Sequence, residues 1–203
     1  QRLRAVAILN ALLGSWGRRG GFYIPDFISV PAYPQPASPK PKWNWRDGVE
    51  NNFPLAEEDL SNGVIEASLS SAPEDKRVRA WVVNGTNLPM TMPDQATTIK
   101  AMQELEFLVV IDTMPMEVTG FADVILPECT YLERYDAIRS LPGRFPTLAL
   151  RMPATEPRFN TKPVWWMAKS LSKKLGLEEY FAWENVEEML DWQLKQVGSS
   201  LEE

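Results

Sequence analysis

Apolar residues recur near the start of the chain at Leu3, Val6, Ile8, Leu9, Leu12, Leu13 and Trp16. This is a helical spacing, wide enough to be covered on more than one side. Gly17, Gly20 and Gly21 end it. From residue 22 to about 47 the chain carries Pro25, Pro31, Pro34, Pro36, Pro39 and Pro41. That density breaks regular helix, so an extended crossing segment is expected. Its aromatic residues Phe22, Tyr23, Phe27, Tyr33, Trp43 and Trp45 imply a segment pinned against a surface rather than a free linker.

Farther along, residues 78–84 (VRAWVVN) read as a buried strand with Gly85 at its carboxyl end. Pro93 and Asp94 start a helix whose inner face is Ala96, Ile99, Ala101, Met102 and Leu105. Residues 107–111 (FLVVI) form a second strand ending at Asp112. Roughly twenty residues separate the two strand ends, enough for a right-handed helical crossover and hence a parallel pair. Residues 123–126 make a third strand ending at Pro127, after a shorter connection, and residues 147–151 read as one more edge strand. Thr161 caps a helix with Val164, Met167, Ala168, Leu171 and Leu175 on one face, closed by Gly176. A last helix near residues 184–197 buries Val186, Met189, Leu190, Leu194 and Val197. The expected fold is α/β: an open, mostly parallel sheet flanked by helices in a Rossmann-like, three-layer arrangement, with an extended proline-rich arm. The expected organisation is an amphipathic helix over 1–21, the proline- and aromatic-rich segment over 22–52, and the α/β region over 53–203.

Composition narrows the chemistry. A chain of 203 residues with 44% apolar and 24% charged positions has room for one sizeable core. A formal charge of −6 argues against a nucleic-acid binder, which needs basic surface to displace counterions. There is one cysteine, Cys129, and no histidine, so the usual zinc and iron ligand sets and any Ser-His or Cys-His nucleophile are excluded within this chain. No apolar run approaches the roughly 18 residues needed to span a bilayer. The chain opens on Gln1 and runs straight into a helical pattern, so an internal segment of a longer polypeptide is expected. Neither G-x-G-x-x-G after a strand nor a Walker A sequence occurs, which argues against a simple NAD, FAD or ATP site.

In an open parallel sheet, ligands lie beyond the carboxyl ends of the strands. Two stretches fall there: Gly85, Thr86 and Asn87 after the first strand, and Asp112 and Thr113 after the second. Gly85 permits close backbone approach, Thr86 and Asn87 offer short donors and acceptors, and an ionised Asp112 accepts hydrogen bonds from a guanine edge or from ribose hydroxyls. Ordinary turn and cap roles for these residues remain open. Glu133 and Arg134 can be read as a brace for a ligand loop or as structural ion partners. Cys129 reads as a small buried apolar residue, and Trp165 and Trp166 as packing residues, one ring inward and one along the flank. No catalytic residue and no metal ligand is assigned to this chain.

The ordered text carries more than its parts. The succession of residues 82–87 (VVNGTN), 107–112 (FLVVID) and 122–128 (ADVILPE) resembles the dimethyl-sulfoxide-reductase family of molybdopterin oxidoreductases. The run 126–136 (LPECTYLERYD), with 8–21 (ILNALLGSWGRRGG) and 150–166 (LRMPATEPRFNTKPVWW), is similar to its thiosulfate and polysulfide reductase branch. The resemblance implies a parent catalytic subunit carrying a bis(molybdopterin guanine dinucleotide) molybdenum centre and a 4Fe-4S cluster outside this segment. It further implies reduction of thiosulfate or polysulfide in anaerobic respiration, with the rest of the catalytic subunit, a ferredoxin-like electron-transfer subunit and a membrane anchor subunit as partners. A periplasmic location, or the outer face of the cytoplasmic membrane, goes with that reading. On the same resemblance, Gly85, Thr86, Asn87, Asp112 and Thr113 contact the guanosine part of one cofactor, and residues 53–203 form the cofactor-nucleotide-binding region. The chain departs from the family pattern in having Asn87-Leu88-Pro89 where Asn-Pro is common. It also has Met116-Glu117-Val118-Thr119 in place of a Thr-x-Thr-Ala stretch. The competing expectations are a non-catalytic α/β interaction module, and the same family acting on tetrathionate, arsenate or another oxyanion.

Overall fold

The computed structural model describes residues 2–37 and 61–202. Trp43, Trp45, Pro39, Pro41 and the rest of the arm beyond residue 37 lie outside the described residues. The chain divides into two compact units, one drawn from Gln35–Arg134 and Pro153–Phe181, the other from Gln1–Pro34, Tyr135–Met152 and Ala182–Glu203.

The first unit is built on a three-stranded parallel sheet in the order β1-β2-β3, with β1 Ala80–Asn84, β2 Phe107–Asp112 and β3 Val124–Pro127. The register pairs Val82 with Val109, Asn84 with Ile111, and Asp112 with Pro127. Residues paired in a parallel register share a face. Trp81, Val83, Leu108 and Val110 therefore point one way, and there they meet Ile65, Ala101, Met102 and Val118 in a single core. Ile65 comes from a helix over Ser61–Ser68, and Ala101 and Met102 from a helix over Gln95–Glu104. The α/β class and the parallel, helix-flanked sheet thus match the sequence expectation. β1 does not read as expected in one respect. It is an edge strand among the described residues and alternates in burial, with Val82 64% exposed, so only one of its faces is covered.

Local chemistry explains the boundaries. Asp94 adopts a left-handed conformation and its carboxylate accepts the Thr97 N–H, capping the Gln95–Glu104 helix. Its buried positions are Thr98, Ala101 and Met102, so Thr98 rather than the exposed Ala96 faces inward. The short β2–β3 connection is bridged by a 3-10 turn over Glu117–Phe121, and Asp123 accepts the Leu108 N–H at 2.7 Å. A further helix, Val164–Leu175, ends on Gly176 as its glycine stop signalled, but its cap position is Pro163, without a side-chain cap, and not Thr161.

In the second unit, residues 147–151 do not add a strand to the parallel sheet. Thr147–Ala149 pairs antiparallel with Arg139–Leu141 in a separate two-stranded ribbon. The helix Val186–Lys195 buries Val186, Leu190 and Leu194, and packs the Tyr33 ring edge-on to Trp192 at 5.2 Å. The amino-terminal helix Arg2–Leu12 stops short of Trp16. Its apolar positions, Leu3, Val6, Leu9 and Leu12 among them, are all exposed. Downstream, Phe22 N–H donates to Ser15 carbonyl, and a Cβ at Gly21 would meet that same carbonyl oxygen at 2.1 Å, so the turn requires glycine there. No helix among the described residues is long and apolar enough to cross a membrane.

Candidate functional site

The carboxyl ends of all three strands of the parallel sheet converge. Gly85 follows β1 in a left-handed conformation, φ +61°, and its N–H donates to the Ile111 carbonyl at 3.0 Å. This single bond brings the turn after β1 to the residue before Asp112. Gly85 is exposed, with no atom within 4 Å of where a Cβ would stand, so its backbone borders open space.

Asp112 occupies the opposite condition. It is 7% exposed, and its Oδ1 accepts the Thr113 N–H at 2.7 Å. Its Oδ2 is buried and, among the described residues, meets no hydrogen-bond donor. A desolvated carboxylate oxygen without a donor costs free energy, about 1–3 kcal/mol or more for a charged group, that a donor-bearing ligand would recover.

The other three sequence-selected residues are placed less simply. Asn87 spends its amide on the protein: Nδ2 donates to Glu117 and Oδ1 accepts the Val118 N–H at 3.3 Å, tying the loop after β1 to the 3-10 turn. Its donor also lowers the Glu117 carboxyl below its ordinary value, after the larger effect of Glu117's own backbone N–H. Thr86 Oγ1 donates to the Asn84 carbonyl at 3.4 Å, and Thr86 lines an apolar groove of about 490 Å³ that includes Val64, Trp81, Val82 and Leu88. Thr113 is exposed, with its hydroxyl 3.5 Å from Asp112 Oδ1. The fold therefore brings Gly85, Asp112 and Thr113 to one edge, and gives Asn87 a role in holding that edge together.

A residue that sequence reasoning passed over lies after β3. Glu128 is 5% exposed, and its N–H donates to the Asp112 carbonyl at 2.9 Å. Its Oε1 accepts Arg134 Nη1 at 2.7 Å and the Val164 N–H at 3.3 Å, and Oε2 accepts Asn84 Nδ2 at 3.3 Å. The signal was available, because Glu128 stands just past a strand end as Gly85 and Asp112 do. Arg134 thus pairs with Glu128. Glu133 instead accepts the N–H groups of Arg158 and Thr130, which hold its carboxyl below the usual glutamate value. Cys129 is fully buried, with Sγ 3.5 Å from Thr161 Oγ1. Trp166 is half exposed, and the Lys162 ammonium lies 5.5 Å from its ring centre.

Comparison with known proteins adds to this geometry. The family model described as Molybdopterin oxidoreductase matches residues 3–174. The thiosulfate reductase molybdopterin-containing subunit PhsA of Salmonella typhimurium is 31% identical over 94% of this chain, which spans 27% of that subunit. The dimethyl sulfoxide reductase DmsA of Escherichia coli is 26% identical over 88% of this chain and 23% of its own length. Among solved structures, acetylene hydratase from Pelobacter acetylenicus superposes with a TM-score of 0.60 at 22% identity, over 70% of this chain and 19% of that one, a likeness of fold. The chain spans about a quarter of the length of these curated relatives.

Proposed function

Because the chain belongs to the molybdopterin oxidoreductase family, we propose that its parallel sheet grips the guanosine end of one molybdopterin guanine dinucleotide. The observation that carries this reading is the buried Asp112 Oδ2, without a donor among the described residues, beside the open Gly85 turn. The donor set fits the group: a guanine base presents N–H donors along one edge, and an ionised carboxylate accepts only. Gly85 lets the backbone approach the nucleotide closely, and Thr113 offers a hydroxyl at the same edge. Asn87 keeps the β1 loop and the 3-10 turn in register instead of meeting the ligand.

When bound, the pterin-held molybdenum supplies the redox chemistry, and this part of the protein supplies grip and orientation. For the complete enzyme we propose reduction of thiosulfate or polysulfide, supported by the Salmonella relative. A 4Fe-4S cluster elsewhere in the catalytic subunit, a ferredoxin-like subunit, a membrane anchor and a periplasmic setting complete that proposal. The 203-residue chain alone is expected to show no turnover.

The test is Asp112→Ala in the complete enzyme, with guanine nucleotide measured after acid hydrolysis of the purified protein. Reduced cofactor content is expected. Wild-type content, or sulfur-compound reduction by the isolated chain, would contradict the reading.

A further inference from the structure

We infer that Glu128 is a positioning residue that sets the spacing between the Gly85 turn and the Asp112 carboxylate. The inference rests on the guanosine reading above and adds a clasp to it. The two arms of the proposed grip come from different strands, β1 and β2, and β1 is an edge strand whose end is joined to β2 by the Gly85 N–H to Ile111 bond. Glu128 is wired to both arms. Its backbone N–H holds the Asp112 carbonyl, and its Oε2 accepts the side-chain amide of Asn84, the residue before Gly85. That same amide also donates to the Ile111 carbonyl at 3.3 Å, so Asn84 lies across the end of the central strand to reach a residue beyond β3.

The far side of the carboxylate is anchored. Arg134 and the first N–H of the Val164–Leu175 helix both donate to Oε1, and the positive end of that helix favours a carboxylate there. Glu128 is thereby held rigidly enough to fix Asn84. Where Asp112 keeps a carboxylate oxygen without a donor among the described residues, Glu128 has donors on both of its oxygens, which separates a ligand-facing acid from a framework acid.

The clasp is tested in the complete holoenzyme by the rate at which guanine nucleotide is released, with thermal melting recorded alongside. Asn84→Ala leaves the Glu128–Arg134 pair in place, so release should accelerate about tenfold with little change in melting temperature. Glu128→Ala should accelerate it at least as much, and the double variant should fall well short of the product of the two single effects, because the Asn84–Glu128 connection is lost in both. Additive effects, on the order of a hundredfold in the double variant, or single variants that release at the wild-type rate while Asp112→Ala releases faster, would overturn the clasp and leave the guanosine reading standing. A wild-type release rate in Asp112→Ala would overturn the reading itself, and the clasp with it.

Discussion

The Gly85 N–H donates to the Ile111 carbonyl at 3.0 Å, and so holds a left-handed turn directly beside the residue that precedes Asp112. Two residues distant in the chain become neighbours at the edge of the sheet where α/β ligands gather.

Gly85→Ala separates the structural and the binding demands on that turn. A Cβ meets no atom there, so the cost to the ligand-free protein is the left-handed backbone alone, about 1 kcal/mol. Cofactor content should fall much further than thermal stability. Full cofactor content in this variant would show that no ligand comes close to the backbone at Gly85.

Asp112→Asn should do the reverse of most core changes. The amide keeps an oxygen for the Thr113 N–H and puts an NH2 where an acceptor oxygen has no donor among the described residues. Ligand-free stability is therefore expected to change by less than about 1 kcal/mol, while guanine nucleotide content drops. Urea titration of cofactor-free protein checks the first, and nucleotide analysis the second.

Leu108→Ala tests the core of the sheet-bearing unit. Leu108 is almost completely buried in the layer with Trp81, Val110, Ala101 and Met102. Truncation should cost about 2–5 kcal/mol, read as a lower denaturant midpoint. A loss below about 1 kcal/mol would mean that the site sits in a core able to collapse around the gap.

The pattern of apolar residues made β2 and the helix over Gln95–Glu104 legible, because burial against a core leaves a periodicity that local chemistry reinforces: Asp94 caps the helix and Asp112 ends the strand. The same logic overstated β1. Its VRAWVVN run reads as buried on both faces, but edge position leaves Val82 uncovered, and edge position is a property of topology. It also left the Ser61–Ser68 helix unread, since Gly63 and short polar residues dilute its apolar stripe. At the site, sequence placed Gly85 and Asp112 at adjacent strand ends. It gave no way to see that Asn87 would turn to Glu117 and Val118, or that Arg134 would reach Glu128, because those pairings are made across 30, 31 and 6 positions by the completed fold.

Glu133 carries a pH dependence. The N–H groups of Arg158 and then Thr130 depress its carboxyl value in the folded state. Its contribution to stability is therefore fully present above the unfolded glutamate value and is lost as pH falls through the lower folded value. Glu133→Gln should flatten that acid limb of the stability profile in denaturant titrations between neutral pH and the acid range. An unchanged limb would assign the acid sensitivity to other carboxylates.

The most direct test is a structure of the complete enzyme with its cofactor bound, read at one distance. The account predicts a guanine nitrogen within hydrogen-bonding range of Asp112 Oδ2, about 2.7–3.2 Å, with the nucleotide passing over Gly85. A guanosine seated elsewhere, with Asp112 Oδ2 still lacking a donor, would contradict it.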